Sequence, residues 1–375
     1  LRLLLTIPHF DAAEGGAEGF AVTVCRELAR RGHAVRVLAE TGRLGPDVDL
    51  VLGELTDAPR HMAEFEADLH VDWGLHVPAD LHRLGGGVHR EYMRLMQEAR
   101  SPIARLVRAI TDELRGKHRR TRRQEDRLFA RSEAHFLANS EFVARQVRAV
   151  SSVAEGHIHV LLNGVDTTRF SAERLSPLRA AKRAALGLGD EDVAFVLSAH
   201  NLRMKNFALL ARVFGRIHPA CPQAKLVVMG KRQPPMEAPW LVYAGATREP
   251  ETIYAAVDAL VHPTLFDACA NVVIEAMASG LPVLSSDRNG SAELVREDES
   301  GQVLPVVGKR AEIDALWERA ILGLATDAPR RVEWGRAGRA IAEGQSIVNY
   351  ADRLAPLLVR LAEQKRDCVS ANDVG

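Results

Sequence analysis

The sequence predicts an α/β protein of two Rossmann-like domains facing a central cleft. Three observations carry that reading. The chain has 375 residues, too many for one ordinary hydrophobic core and suited to two. Near its start it spells a strand–loop–helix–strand unit, the building block of a doubly wound parallel sheet. After a charged, helix-like segment from Ala172 to Leu186, a second series of strand candidates begins.

The elements follow in order. RLLLTI (Arg2 to Ile7) is a short apolar run that fits a strand buried on both faces. The loop PHFDAAEGGAEG leads into a helix over Phe20 to Arg31, which Gly32 stops, and AVRVLA (Ala34 to Ala39) is the next strand. Val48 to Leu55, Ala67 to Trp73, Ala134 to Ser140 and His157 to Asp166 continue the first half less clearly. In the second half VAFVLSAH (Val193 to His200), AKLVVMGK (Ala224 to Lys231), WLVYAGA (Trp240 to Ala246), DALVHPT (Asp258 to Thr264) and LPVLSS (Leu281 to Ser286) are the strands. The expected domains are 1–167 and 168–346, with a hinge near Asn163 to Phe170. Ile341 to Lys365 carries helical spacing in Ile347, Tyr350, Leu354 and Leu358, so a C-terminal helix over about 347–375 is expected to pack back on the first domain.

Composition excludes some classes. The chain is 47% hydrophobic and 26% charged with net charge zero, so overall charge favours no nucleic-acid partner. No stretch approaches the ~18 apolar residues of a membrane span, and LRLLLTIPHFDAAEGG reads as too short and too soon polar for a signal peptide. Cys25, Cys221, Cys269 and Cys368 have no paired or metal-type spacing and read as reduced thiols of a cytoplasmic protein.

The chemistry concentrates in FDACANVVIEAMASGLPVLSS, Phe266 to Ser286. A loop at the carboxyl end of a strand is where open α/β sheets bind ligands. Ala268, Cys269 and Ala270 are small enough for close backbone approach. The following helix offers N–H groups of Ala270, Asn271 and Val272 and a favourable dipole to a diphosphate. Asp267 is placed to accept hydrogen bonds from sugar hydroxyls, and Glu275 to accept both hydroxyls of a ribose.

This stretch resembles the E-x7-E signature of retaining GT-B glycosyltransferases of family 4, whose second half reads E-A-M-A-x-G-x-P-V. Glu275, Ala276, Met277, Ala278, Gly280, Pro282 and Val283 match that half, while Asp267 stands in place of the first glutamate. SAHNLRMKNFALL (Ser198 to Leu210) is similar to the family's strand-end segment with a basic pair. The resemblance implies that Arg203 and Lys205 neutralise the β-phosphate as the sugar departs; Asn206 replaces the glycine usual after that lysine. EGGAEGF (Glu14 to Phe20) is similar to the family's GG-x-E opening, which implies that Gly15 and Gly16 approach the diphosphate or acceptor. NGVD (Asn163 to Asp166) matches the hinge segment.

Leu69 to His89 is rich in histidine and carries Gly85, Gly86 and Gly87. The resemblance implies a catalytic aspartate or histidine from this region; His76, Asp80, His82 and His89 are the candidates, with His76 and His82 entered as catalytic beside Asp267, Arg203 and Lys205. Lipopolysaccharide-core glucosyltransferases place an aspartate where Gly86 falls. A metal site is the rival, without a His pair at helical spacing and a supporting carboxylate. RGKHRRTRR (Arg115 to Arg123), with Leu106, Val107, Ile110 and Leu114 before it, reads as a basic amphipathic helix suited to an anionic membrane surface or a phosphorylated lipid-linked acceptor. It lacks the interleaved aromatics of a nucleic-acid surface.

The expectation is therefore a cytoplasmic, metal-independent, cofactor-free transferase of the GT-B class, peripheral on the inner face of a membrane. It would move a hexose from a nucleotide-sugar, with UDP the expected carrier, to a glycan or a lipid-linked acceptor such as a lipopolysaccharide core. Configuration would be retained, the leaving phosphate taking the acceptor's proton. The alternatives are a non-catalytic nucleotide-sugar-binding protein and a GT-B-type sugar-nucleotide epimerase.

Overall fold

The computed structural model describes residues 1–11, 16–43, 48–100 and 116–372. Their contacts form two compact units, one within Leu1–Met93, Leu106–Gly164 and Ile347–Gly375, the other within Arg94–Arg105 and Val165–Ser346.

The first unit runs β1 (Arg2–Phe10), α1 (Gly16–Arg30), β2 (Ala34–Gly42), β3 (Asp49–Leu52), α2 (Ala58–Glu64), β4 (Leu69–Asp72), β5 (Leu81–Leu84), the first half of α3 (His89–Glu98, which groups with the second unit from Arg94), α4 (Gly116–Phe129), β6 (His135–Ala138), α5 (Glu141–Val150) and β7 (Ile158–Val160). The strands lie in the order β3-β2-β1-β4-β5-β6-β7, every pair parallel. β1 is central, and its residues Leu3, Leu4, Leu5, Thr6 and Ile7 are all buried, as a strand covered on both faces requires. α1 turns Phe20, Val24, Cys25 and Leu28 inward. It ends at Gly32, whose φ of 86° is open to glycine at no steric cost.

The second unit runs α6 (Ala172–Leu175), α7 (Arg179–Ala185), β8 (Val193–Ser198), α8 (Phe207–Ile217), β9 (Ala224–Met229), β10 (Leu241–Gly245), α9 (Pro250–Ala256), β11 (Ala259–His262), α10 (Asn271–Ala278), β12 (Val283–Ser286), β13 (Gly301–Leu304), α11 (Arg310–Thr326) and α12 (Ala328–Glu343). Its strand order is β10-β9-β8-β11-β12-β13, again all parallel. The helix α13 (Ile347–Asn372) belongs to the first unit. There Tyr350, Leu354, Leu358 and Leu361 join the core, Tyr350 meeting Phe20 edge-on with ring centroids 5.0 Å apart.

Both sheets reverse strand order once, between β1 and β4 and between β8 and β11. Such a reversal leaves a crevice at the carboxyl ends of the two strands, because the connecting helices depart to opposite faces. Four candidate regions follow these strands. Gly16 comes after β1 and the histidine-rich segment after β4; Arg203 and Lys205 come after β8 and Asp267 after β11.

Three differences from the sequence reading have physical causes. LHRL (Leu81–Leu84) is a fully buried strand despite His82 and Arg83; their polar atoms find Asp72 and Asn163. The segment Ala172 to Leu186 is two helices, with a 3-10 turn carrying Pro177 between them. The periodic run from Ile341 is interrupted near Gly344, where Val165 bridges Ser346 before α13 begins. The basic segment is helical as expected over its described part, α4, and is anchored by Leu128 and Phe129, the latter 5.1 Å from the Phe136 ring. Gly15, Arg115 and the apolar positions Leu106, Val107, Ile110 and Leu114 lie outside the described residues.

Candidate active site

β8 ends at Ser198 and the chain turns before α8 through residues held by Asn201. The Oδ1 of Asn201 accepts from the backbone N–H groups of Arg203 and Met204 at 3.2 and 3.1 Å, a side-chain-made turn. Asn206 closes it with φ 53° and ψ 41°, left-handed backbone that asparagine tolerates best after glycine. This explains how asparagine serves where glycine is usual. The turn is stitched to the next strand of the switch: Leu265 donates its N–H to the Met204 carbonyl at 2.8 Å, and the Thr264 hydroxyl donates to it at 3.2 Å.

That stitching brings Lys205 to Asp267, Nζ to Oδ2 at 2.5 Å, with side chains 12% and 20% exposed. The buried ring of His262, the last residue of β11, lies behind them with Nε2 3.5 Å from the same oxygen. Burial by itself pushes the Asp267 carboxyl up, but Lys205 and His262 together hold it well below the usual carboxylate range. Burial, with Lys205 adding to it, pushes His262 down to about 4, so the ring is neutral at pH 7. Arg203, by contrast, is exposed and makes no ion pair among the described residues.

The loop carrying Asp267 is held by Asn289, a residue the sequence reading did not single out. Asp267 donates its N–H to the Arg288 carbonyl and its own carbonyl accepts from Gly290. Asn289 Oδ1 accepts the Ala270 N–H at 3.1 Å, so that amide is committed within the fold. Asn271 and Val272 stand at the tip of α10 beyond it. Gly280 ends α10 at φ 78°: Leu281 donates to the Ala276 carbonyl and Gly280 to that of Met277, the paired bonds of a Schellman stop.

Glu275 lies one turn into α10, half-buried. Its Oε2 accepts from the buried Tyr254 hydroxyl at 3.0 Å. Burial pushes the carboxyl up to about 7, against the opposing pull of Tyr254 and Arg169. Arg169 is itself committed to Glu251 at 2.7 Å. Asp267 and Glu275 are thus two carboxyls with opposite electrostatics, one firmly ionised and one poised to titrate.

In the first unit the sequence reading missed Asp72, the last residue of β4, because a strand-end aspartate gives no pattern of its own. It is fully buried and accepts from the Thr6 hydroxyl at 2.9 Å and the His76 N–H at 2.8 Å. The Nδ1 atoms of His76 and His82 lie 3.2 and 3.3 Å from its two oxygens. Burial works against its charge, yet these partners hold it well below the usual range. His76 and His82 therefore meet at one carboxylate, His82 buried and the His76 side chain 35% exposed. Asp80 and His89 do other work. Asp80 accepts from the His70 N–H and from Lys365, both at 2.7 Å; His89 donates its N–H to Glu125 at 2.6 Å. Among the described residues no group of three or more His, Cys, Asp or Glu side chains is arranged to hold a metal ion.

A family model described as Glycosyltransferase Family 4 matches residues 14–169, and one described as Glycosyl transferases group 1 matches 190–327. The chain carries both of these glycosyltransferase domain types, one in each half. Among curated relatives, the D-inositol 3-phosphate glycosyltransferase of Nocardia farcinica is 29% identical over 237 residues, 58% of this chain and 51% of its own length. The chain spans about half the length of the curated relatives it matches. Among solved structures, WaaG, a glycosyltransferase involved in lipopolysaccharide biosynthesis, superposes with a TM-score of 0.77 at 18% identity, covering 95% of this chain and 99% of that one. Alr3699/HepE of Anabaena in complex with UDP-glucose gives 0.68 at 16% identity, covering 96% and 99%. These likenesses show the GT-B fold.

Proposed function

We propose that this chain is a retaining hexosyltransferase that uses a nucleotide-sugar, with UDP the expected carrier. The observation that carries the reading is Lys205 held on Asp267 at the β8/β11 reversal, with Glu275 one helical turn beyond on α10. A diphosphate there meets the Lys205 ammonium, the exposed Arg203 guanidinium and the amide-lined tip of α10 at Asn271 and Val272. These supply the positive charge, so the reading needs no metal or other cofactor. Asp267 then receives sugar hydroxyls and Glu275 the ribose. HepE binds UDP-glucose on the same fold, which favours UDP.

The acceptor side is assigned to the first unit, beside Gly16 and the Asp72–His76–His82 cluster, where His76 is the histidine exposed enough to touch a hydroxyl. A glycan or lipid-linked acceptor such as a lipopolysaccharide core is the preferred class, in keeping with what WaaG is named for. A screen of UDP-, GDP- and ADP-hexoses tests the donor reading. The matching one raises the melting temperature, by about 2.7 kcal/mol of added stability at 100 times its Kd, and slowly releases free sugar. Binding without release, across the panel and with acceptors present, would favour a non-catalytic nucleotide-sugar-binding protein.

Cytoplasmic placement with peripheral contact at an anionic membrane belongs to the same proposal. In α4, Arg119, Arg120, Arg122 and Arg123 have no acidic partner among the described residues. No described helix is long and apolar enough to cross a membrane. Each arginine neutralised is expected to weaken binding to anionic vesicles by about 1 kcal/mol, roughly five-fold, with unchanged activity on a soluble acceptor. Equal co-sedimentation of the four-fold glutamine variant with anionic and neutral vesicles, matching the parent, would make this a solvated helix face.

A further inference from the structure

One cation serves two anions at the donor site. Lys205 neutralises Asp267 in the free protein, and on the donor reading above, upon which this inference rests, it must also meet the diphosphate. When it turns to the donor, a carboxylate that is only 20% exposed loses its partner, and an uncompensated charge in such a place is costly. One group stands ready to compensate. The His262 ring is fully buried, Nε2 lies 3.5 Å from Asp267 Oδ2, and neither ring nitrogen has a hydrogen-bond partner. Buried polar atoms are nearly always satisfied, and this neutral ring stands just beyond hydrogen-bond distance of the carboxylate whose cation the donor competes for.

We propose that His262 is a positioning residue that takes up a proton from solvent as the donor draws Lys205 away, and so holds Asp267 in place to receive the sugar. The step is a protonation: an N–H bond forms at the unprotonated ring nitrogen, and the imidazolium then donates to Asp267. The charged groups that act on the ring are Lys205, from the turn before α8, and Asp267, from the loop before α10. β12 places uncharged Ser285 in register beside it. Lys205 is what opposes protonation after burial itself, and Asp267 is what favours it. Moving the ammonium onto a diphosphate removes the first influence and leaves the second, so the direction is fixed: binding takes up a proton, and it strengthens as pH falls.

Glu275 titrates in the same range and releases a proton when it meets a ribose, so the uptake is read in the Glu275→Gln background. Calorimetry with UDP-glucose and GDP-mannose, whose diphosphate diesters do not titrate between about pH 6 and about pH 8, is run in two buffers of different ionisation enthalpy. The expected result is a net uptake of part of a proton, larger at about pH 6 than at about pH 8, that vanishes when His262→Gln is added. Donor binding that depends on Lys205 but shows no buffer dependence would overturn the inference and leave the donor site standing. Binding that is equally tight after Lys205→Ala would instead overturn the donor site, and the inference with it. Uptake that persists in His262→Gln would overturn the inference, and His262→Asn supplies the same comparison if His262→Gln does not fold.

Discussion

Lys205→Ala is expected to lower kcat by about 10²–10³-fold, the loss seen when one preorganised donor to a developing anion is removed. The ammonium is the charged group fixed at the carboxyl end of β8, and its position is set twice, by the turn that Asn201 builds and by the ion pair with Asp267. The same variant should also lower stability, since it strands a mostly buried carboxylate, by about 1–3 kcal/mol. These two effects separate in the double variant. Lys205→Ala with Asp267→Asn should regain most of the melting temperature while the rate stays low. The pH dependence has a definite sign. Asp267 is held below its ordinary range in the folded protein, so it contributes stability that is present above that range and lost as pH falls through it. That acid-sensitive contribution should shrink in Lys205→Ala. Near-parental turnover in the single variant, or a rate that recovers together with stability in the double, would remove Lys205 from the donor site.

How far the molecule was legible depended on whether its signals were local. RLLLTI and AVRVLA announce β1 and β2 because strands covered on both faces must be apolar throughout. The stop of α10 at Gly280 and the left-handed Asn206 are set by backbone sterics, which single residues advertise. β5 was not announced, since His82 and Arg83 interrupt the apolar run. Their burial is tolerable because Asp72 and Asn163, the latter 80 positions away, meet them. The same limit hid Asp72, Asn289, Tyr254 and the ring of His262. Each acts through partners from other strands and loops, and a residue's meaning there is created by the parallel pairing of β4 with β1 and β5 for Asp72, and of β11 with β8 and β12 in the second unit.

Glu275→Gln is expected to weaken donor binding by about 10–100-fold, the scale of hydrogen bonds accepted by a charged group, and to remove its decline below neutrality, leaving the opposite slope that His262 supplies. The carboxyl is pushed up to about 7 by burial, so in the parent protein it loses its charge as pH falls through neutrality. A ribose diol is best received by the ionised form, with Oε2 already engaged by the Tyr254 hydroxyl. Donor affinity should therefore be steady above pH 7 and decline below it, before the smaller opposing contribution of His262 is subtracted. Stability in the absence of donor runs the other way. A carboxyl whose folded value is raised contributes stability that is full below its unfolded range and lost as pH rises through about 7. Glu275→Gln, uncharged at every pH, should thus melt higher than the parent in alkaline buffer while binding the donor less well. A glutamate kept only for packing gives no such opposition. Equal donor affinity for parent and variant on both sides of neutrality would assign Glu275 to the scaffold of α10, and opposite movements of melting temperature and affinity would assign it to the nucleotide.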